Sequence, residues 1–385
     1  MSRLFRDISC NLFYSISSNF ILLLLLLPAN LLYSQTLLKL ENSCILESGI
    51  QVKKQVFCTN DNGGLKGQNV LWDFGNWKLI NQNYTSKYFD TGLNSISKYE
   101  HRTFYNYKLN NDTLFLCGYR NSTTNVSYLL PEVSLIYPFG YGDSISSYFY
   151  GVGDYSNHVG LQIYGKKDIC ADAFGTLILP SGDTVSNVIR LHSEKIMQYR
   201  FDSGIFLELD SLSVPPMDSI TNYLSNNSDL IRMDVFEWYI EGYCKPIFET
   251  VKNTVYKSGK PYKYFSTAFY CPIDELEGVD IGIQLAKKTD KTPPINTLDG
   301  EMVDFNSFLD KEGRNILLEY NSIEGATVDV MLFDIQGRLL FRDKSLEQNS
   351  GKYNFCIDIS QYAQTEFVVR LSINEKTYSK KVFVK

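Results

Sequence analysis

Histidine is nearly absent: His101, His158 and His192 are the only three in 385 residues. None has another histidine within four positions, so each reads as an ordinary surface or core side chain before it reads as a metal ligand or a general base. Basic charge is not in excess either. Lys and Arg number 37 against 43 Asp and Glu, a formal net charge of −6. With no basic stripe to neutralise phosphates, nucleic acid is excluded as a partner. The chain has no H-E-x-x-H, no G-x-S-x-G, no Walker loop and no G-x-G-x-x-G leading into a helix. It also lacks C-x-x-C, which argues against a structural zinc site. No apolar run beyond the N-terminal 34 residues is long enough to cross a bilayer. No cofactor and no metal are expected, and the balance leans away from an enzyme.

Aromatic residues are abundant. Tyr and Phe supply 27 and 24 positions, and both favour the pleated, half-buried surface of a strand. Val70–Phe74, Thr113–Leu116 and Ser146–Tyr150 alternate, while Leu177–Leu179 and Val188–Leu191 are compact apolar runs. Turn signals stand between such segments, at Asp61-Asn62-Gly63-Gly64, Asn110-Asn111-Asp112, Pro180-Ser181-Gly182-Asp183 and Lys257-Ser258-Gly259-Lys260. The fold class expected is all-β. Residues 35–286 form a cargo of one or two β-sandwich modules, 287–314 a linker around Pro293-Pro294, and 315–385 a small second sandwich. The best helical candidate runs from Met217 to Phe236, interrupted at Asn226-Asn227-Ser228.

Residues 1–34 read as a signal peptide. Arg3 and Arg6 precede an apolar run, Phe20–Leu27, that contains six consecutive leucines and is shorter than the about 20 residues a spanning helix needs. Cleavage is expected between Ser34 and Gln35; the alternative is an uncleaved N-terminal anchor. An exported chain meets an oxidising compartment. Cys10 leaves with the signal peptide, and Cys356 lies in the C-terminal module. Cys44, Cys58, Cys117, Cys170, Cys244 and Cys271 are then compatible with three disulfides or, equally, with buried thiols.

Asn315–Tyr320, Thr327–Asp334, Leu339–Asp343, Lys352–Asp358, Glu366–Ile373 and Tyr378–Lys385 read as strands of the second sandwich, with Phe355, Ile357, Phe367, Val369, Leu371, Val382 and Val384 facing its core. Val328–Arg338 resembles the "v-x-l-y-D-x-x-G-r/k" stretch of the type IX secretion C-terminal sorting domain, type A. Asp358-Ile359-Ser360 is similar to that family's "D-l-S" corner. Thr365–Leu371 follows as its next strand, with Thr365 where the family has Gly, and Lys380–Lys385 resembles its basic closing strand. The resemblance covers residues 315–385 and rests on Asp334, Gly337, Arg338, Asp358, Ser360, Lys380 and Lys381. It implies an immunoglobulin-like β-sandwich recognised by the type IX machinery at the outer membrane. Display or release outside the cell would follow, with attachment to surface lipopolysaccharide where the module is cleaved. In the cargo, Gly67–Phe74, Tyr137–Ser144 and Gly175–Arg190 resemble the "G-x-x-x-x-W-D-F-S", "P-F-x-y-G-D-S" and "G-T-L-I-L-P-x-G-x-x-x-N-V-L-R" segments of exported proteins that carry no assigned activity.

Three functional readings remain open. A non-catalytic module binding a glycan, matrix component or cell-surface partner leads. For it, Tyr141, Asp143, Tyr148, Tyr150 and Asp154 are candidate contacts, since aromatics stack on sugar rings while carboxylates accept hydroxyl protons; a filled strand pair gives the same pattern. A secreted hydrolase with dispersed carboxylates such as Asp172, Asp183 and Glu194 is the rival. A structural surface-layer component is the third. Asp-Ser/Thr-apolar tripeptides resemble periplasmic O-glycosylation acceptors at Thr113, Ser144, Thr184, Ser211 and Ser219, although a turn leading into a strand produces the same tripeptide.

Overall fold

The structure is a computed structural model. It describes residues 37–40, 49, 51–59, 63–203, 213–240, 245–272, 305–323, 325–374 and 376–384. The signal-peptide residues with Ser34 and Gln35, Ser211, Cys44, Cys244 and most of the expected linker lie outside them.

The described chain is nearly all β, as expected. Its strands are β1 (Leu37–Leu38), β2 (Gln51–Cys58), β3 (Gly67–Asp73), β4 (Lys78–Gly92), β5 (Ser95–Glu100), β6 (Thr103–Asn110), β7 (Thr113–Arg120), β8 (Thr124–Ile136), β9 (Phe139–Gly140), β10 (Ser144–Tyr155), β11 (Val159–Ile178) and β12 (Thr184–Ser203). A helix, α1 (Met217–Asn226), precedes β13 (Leu230–Ile240), β14 (Phe248–Lys257) and β15 (Lys260–Tyr270). The expected helix thus stops at the Asn226-Asn227-Ser228 interruption, and its second half is a strand.

The cargo is not a sandwich. β2, β4 to β8 and β10 to β15 pair in chain order, each antiparallel to the next, and β15 then pairs with β2 to close a twelve-stranded barrel. Alternation could not distinguish these outcomes, because one buried face per strand serves a sandwich and a barrel alike. Strand length does distinguish them: β11 and β12 have 20 residues each. Inward-facing Lys167 and Lys195 interrupt their apolar pattern and make them read as several short strands. The closing seam is brief, from Gln55↔Tyr270 to Phe57↔Ala268.

Two patches of the outer wall are covered. β3 runs parallel to β11, Gly67 opposite Ala173 and Asp73 opposite Ile178, so residues 63–77 form a strap across β11 to β14. Beneath it Trp72, Phe74, Trp77, Trp238 and Phe248 pack ring to ring. Only glycine fits at position 175, where a Cβ would come 1.9 Å from the Val70 carbonyl oxygen. Elsewhere α1 buries Ile220 against Tyr150 and Tyr164. Much of the remaining wall over β11 to β13 is charged: Lys166 pairs with Asp168, and Arg232 with Glu194 and Asp234. A lipid-facing barrel wall carries an apolar band instead. Among the described residues no helix is long and apolar enough to cross a membrane.

The C-terminal strands are β16 (Phe305–Leu309), β17 (Asn315–Ser322), β18 (Ala326–Asp334), β19 (Leu339–Gln348), β20 (Gly351–Asp358), β21 (Glu366–Ile373) and β22 (Lys376–Phe383). β20, β17 and β16 form one layer, and β19, β18, β21 and β22 the other. One apolar core fills the space between them, and it contains all seven positions expected to face it. Two expectations need correction. Phe305–Leu309, placed in the linker, is a strand paired with β17. The module is also joined to the barrel by strand pairing: β20 continues the sheet at β15, Lys263↔Phe355 to Ser266↔Lys352. Around that junction Tyr353 packs on Phe265 and Phe355 on Tyr262.

No disulfide joins any two of the five described cysteines, Cys58, Cys117, Cys170, Cys271 and Cys356. Of the two alternatives, the thiol reading therefore holds for Cys58, Cys117, Cys170 and Cys271, while Cys44 and Cys244 lie outside the described residues. Thr113, Ser144 and Thr184 each open a strand directly after a turn aspartate, whereas Ser219 lies in α1.

Candidate functional site

The lumen is apolar at both ends and charged between them. At one end Leu38, Leu135, Tyr137, Phe139, Ile169, Ile189 and Leu191 pack together. At the other Leu116, Val126, Tyr128, Phe149, Leu161 and Ile163 do so. Between these plugs lies a cavity of about 270 Å³ lined by five lysines (54, 98, 167, 195 and 245) and four glutamates (100, 132, 237 and 249). A second, of about 210 Å³, shares Tyr88, Lys98, Tyr107, Ser134, Lys167, Glu237, Lys245 and Pro246 with it. Strands from all round the ring contribute, as lumenal residues of a closed barrel must.

The charges form two main clusters. Lys54 Nζ donates to Glu100 Oε1 at 2.8 Å and lies 3.6 Å from Glu249 Oε2, while Lys98 pairs with Glu100 Oε2. Across the lumen, Glu132 of β8 meets Lys167 of β11 at 3.2 Å and Lys195 of β12 at 3.1 Å. Pro131 stands where the β7–β8 register shifts, so its missing N–H interrupts no regular ladder. Burial works against every one of these charges. It would raise the Glu100 carboxyl, but Lys54 and Lys98 outweigh it and hold that carboxyl far below its ordinary range. Burial would equally lower Lys54, whose partner Glu100 brings it up to about 12. At His101 burial wins over the neighbouring Glu100 charge, and with Lys98 and Lys54 adding to it the imidazole is taken down to about 4; its Nδ1 lies 2.9 Å from the Tyr84 hydroxyl. The Lys245 ammonium sits 3.2 Å from the centre of the Tyr88 ring, a cation–π contact.

Glu237 differs from the other carboxyls. It stands directly opposite Glu249 on the neighbouring strand and accepts a hydrogen bond from the Tyr239 hydroxyl at 3.2 Å. Burial, and then the Glu249 charge, push it up to about 7 from an ordinary 4.5. Between those values the folded barrel keeps a proton that the unfolded chain has lost. Stability therefore falls as pH rises from about 4.5 to 7 and levels off above. Glu237→Gln removes that loss. Thermal melts should show the variant more stable than the parent at pH 8, by about 3.5 kcal/mol at the scale of about 1.4 kcal/mol per pKa unit, with the gap narrowing at pH 5. An equal gap at both pH values would show that Glu237 titrates normally.

The residues singled out from sequence do not form this site. Asp143 and Asp154 stand at opposite ends of β10 and accept backbone hydrogen bonds from Gly140 and Asn157 in turns. Tyr148 and Tyr150 face outward beside α1, Tyr150 being buried, and Tyr141 packs on Phe174 at a barrel end. Asp172, Asp183 and Glu194 engage Arg190, Ser181 and Arg232 respectively, and they do not converge. His158 lies in the β10–β11 turn and His192 on the outer face of β12. In the C-terminal module, buried Asp334 closes the β18–β19 turn by accepting from the Arg338 amide and Nε, and Asp358 caps the Ser360 corner. Lys381 pairs with Glu366, and Lys380 reaches Asn306. The lumenal charges were missed because a charge on the inward face of a sandwich strand has no favourable place; a polar cavity inside a barrel provides one. Lys98-Tyr99-Glu100, two charges on one strand face, was the available signal.

No protein-family model matches the chain, and no curated protein or solved structure is similar to it.

Proposed function

We propose that the barrel is a non-catalytic binding module that takes a small acidic, hydroxyl-rich molecule, a sugar acid, into its lumen. The single observation that carries this reading is the charge count in the 270 Å³ cavity: five lysines face four glutamates, and Glu237 holds its proton up to about pH 7. With Glu237 protonated, five ammonium groups face three carboxylates, so a carboxylate brought in by a ligand would offset one of the two surplus charges, and the Tyr and Ser hydroxyls on the wall match sugar hydroxyls. The volume lies at the small end of ligand pockets, which suits a monosaccharide. The resemblance of residues 315–385 to a type IX sorting domain supports delivery through the periplasm to the cell surface or the medium, so the ligand would be met outside the cell.

Calorimetric titration with a hexuronic acid and with its neutral parent hexose tests the reading. The acid should bind saturably and the hexose should not, and Lys245→Met should weaken the acid at least ten-fold without unfolding the barrel. Equal binding of both sugars, or of neither, would refute it. The Glu237–Glu249 pair keeps a second reading alive. A protonated carboxyl facing a carboxylate across adjacent strands is the arrangement of a retaining glycosidase. Release of an aryl leaving group from an aryl glycoside by the parent, lost in Glu237→Gln, would favour hydrolysis.

A further inference from the structure

On the outer wall, away from the lumen, β11 and β12 bring a thiol, a carboxylate and an imidazole together. Cys170 and His192 are direct register partners, and the register then skips from Ala171 to Ala173. Asp172, two positions on from Cys170, lies on the same strand face, and it is the unpaired residue of the bulge that follows, next to the Cys170–His192 pair. One donor atom from each of Cys170, Asp172 and His192 lies within 4.8 Å of the others, and all three residues are part-exposed. We propose that these three residues bind a zinc ion, with a fourth position left open to solvent.

The donor set selects the metal. Thiolate and imidazole together suit zinc, and three protein ligands with one open position is a familiar zinc arrangement. Bond lengths of about 2.0–2.3 Å put tetrahedral donors roughly 3.3–3.8 Å apart, which side-chain rotation from the present spread reaches without moving either strand. The surroundings hold the donors in place. Arg190 grips Asp172 through Nε and a terminal nitrogen at 2.8 and 2.9 Å, which leaves each carboxylate oxygen a further lone pair. Phe236 stacks on His192 with ring centres 4.2 Å apart and planes 4° apart, fixing the imidazole plane. Asp234 Oδ1 lies 3.7 Å from His192 Nε2, a small side-chain shift short of the hydrogen bond that a carboxylate accepts from a metal-bound histidine.

Charge points the same way. Asp172, Asp234 and the Cys170 thiolate are three negatives against Arg190, while Arg232 and Glu194 beside them cancel. The net of two negative charges matches a divalent cation. Binding releases the Cys170 proton to solvent as the sulfur–zinc bond forms.

Cobalt(II) is the probe, added to the reduced, signal-cleaved full chain. One equivalent should bind with a sulfur-to-cobalt charge-transfer band, and zinc should displace it. Cys170→Ser should abolish the band, and His192→Gln should weaken binding at least ten-fold. Asp234→Asn should weaken it about 10- to 100-fold, as losing a supporting carboxylate does. Circular dichroism of each variant separates loss of the site from loss of the fold. Absence of the band in the parent, or its persistence in Cys170→Ser, would overturn the proposal. Neither result touches the lumen, so this test stands or falls apart from sugar binding.

Discussion

Glu132→Gln is expected to destabilise the barrel by about 3–5 kcal/mol, the cost of leaving buried charge uncompensated. Glu132 is 2% exposed, and its two oxygens face Lys167 and Lys195. Burial alone would raise its carboxyl, but Lys195 and Lys167 bring it below the ordinary range. The amide keeps the shape and removes the charge, so two buried ammonium groups lose their shared carboxylate. The tie also links strands that are not paired, since β10 lies between β8 and β11 in the ring and the pair reaches past it. Replacing the whole cluster should cost far less, because apolar groups of similar volume need no partner. Denaturant midpoints of Glu132→Gln and of the triple variant Glu132→Leu, Lys167→Met, Lys195→Met check both statements. A loss under about 1 kcal/mol in the single variant would mean that water screens the cluster as it screens surface pairs. The pH sign is opposite to that of Glu237. A carboxyl held below its unfolded value stabilises fully above that value, and the contribution disappears as pH falls through its folded value.

What was legible in the sequence follows from the range of the physics involved. The C-terminal module emerged strand by strand because its six main strands are short, three of them (β17, β18 and β21) alternate in burial, and they are separated by turn residues such as Gly337, whose φ is +81°. Local rules suffice there. In the cargo, the composition and the strands were readable and the closure was not. Closing the ring takes one pairing between residues more than 200 positions apart, Phe57 and Ala268, and nothing local encodes it. The three cargo segments that resemble exported proteins nevertheless meet in space. β3 pairs with the end of β11, Trp72 packs beside Arg190, and Tyr137 and Phe139 share an apolar cluster with Ile189. They mark one structural corner, while the lumenal charges lie outside all three. The outer thiol–imidazole pair is 22 positions apart in sequence and depends on strand register, so His192 looked isolated.

That corner is held by Arg190, and Arg190→Leu should release it while leaving the lumen intact. The side chain is 1% exposed. Its guanidinium binds Asp172 on one side, donates to the carbonyls of Gly63 and Gly64 on the other, and lies 5.6 Å from the centre of the Trp72 ring and 5.1 Å from that of Phe236. Leucine fills part of the volume but leaves a carboxylate and two carbonyls without their donor, a loss of about 3–5 kcal/mol by the same reasoning as for Glu132. The failure should be local, because these bonds tie the strap to the wall and do not cross the barrel. All three tryptophans of the chain, Trp72, Trp77 and Trp238, pack beneath or within the strap. Intrinsic fluorescence therefore reports on this corner alone. In Arg190→Leu it should shift to the red at denaturant concentrations where far-ultraviolet circular dichroism is still native, and protease should cut first between Thr59 and Trp77. Arg190→Lys should fall between parent and leucine variant, since an ammonium keeps the charge but cannot span Asp172 and the carbonyls at once. Coincident loss of fluorescence and dichroism in the leucine variant would show instead that the strap and the barrel fold as one unit, with Arg190 supporting the wall as much as its cover.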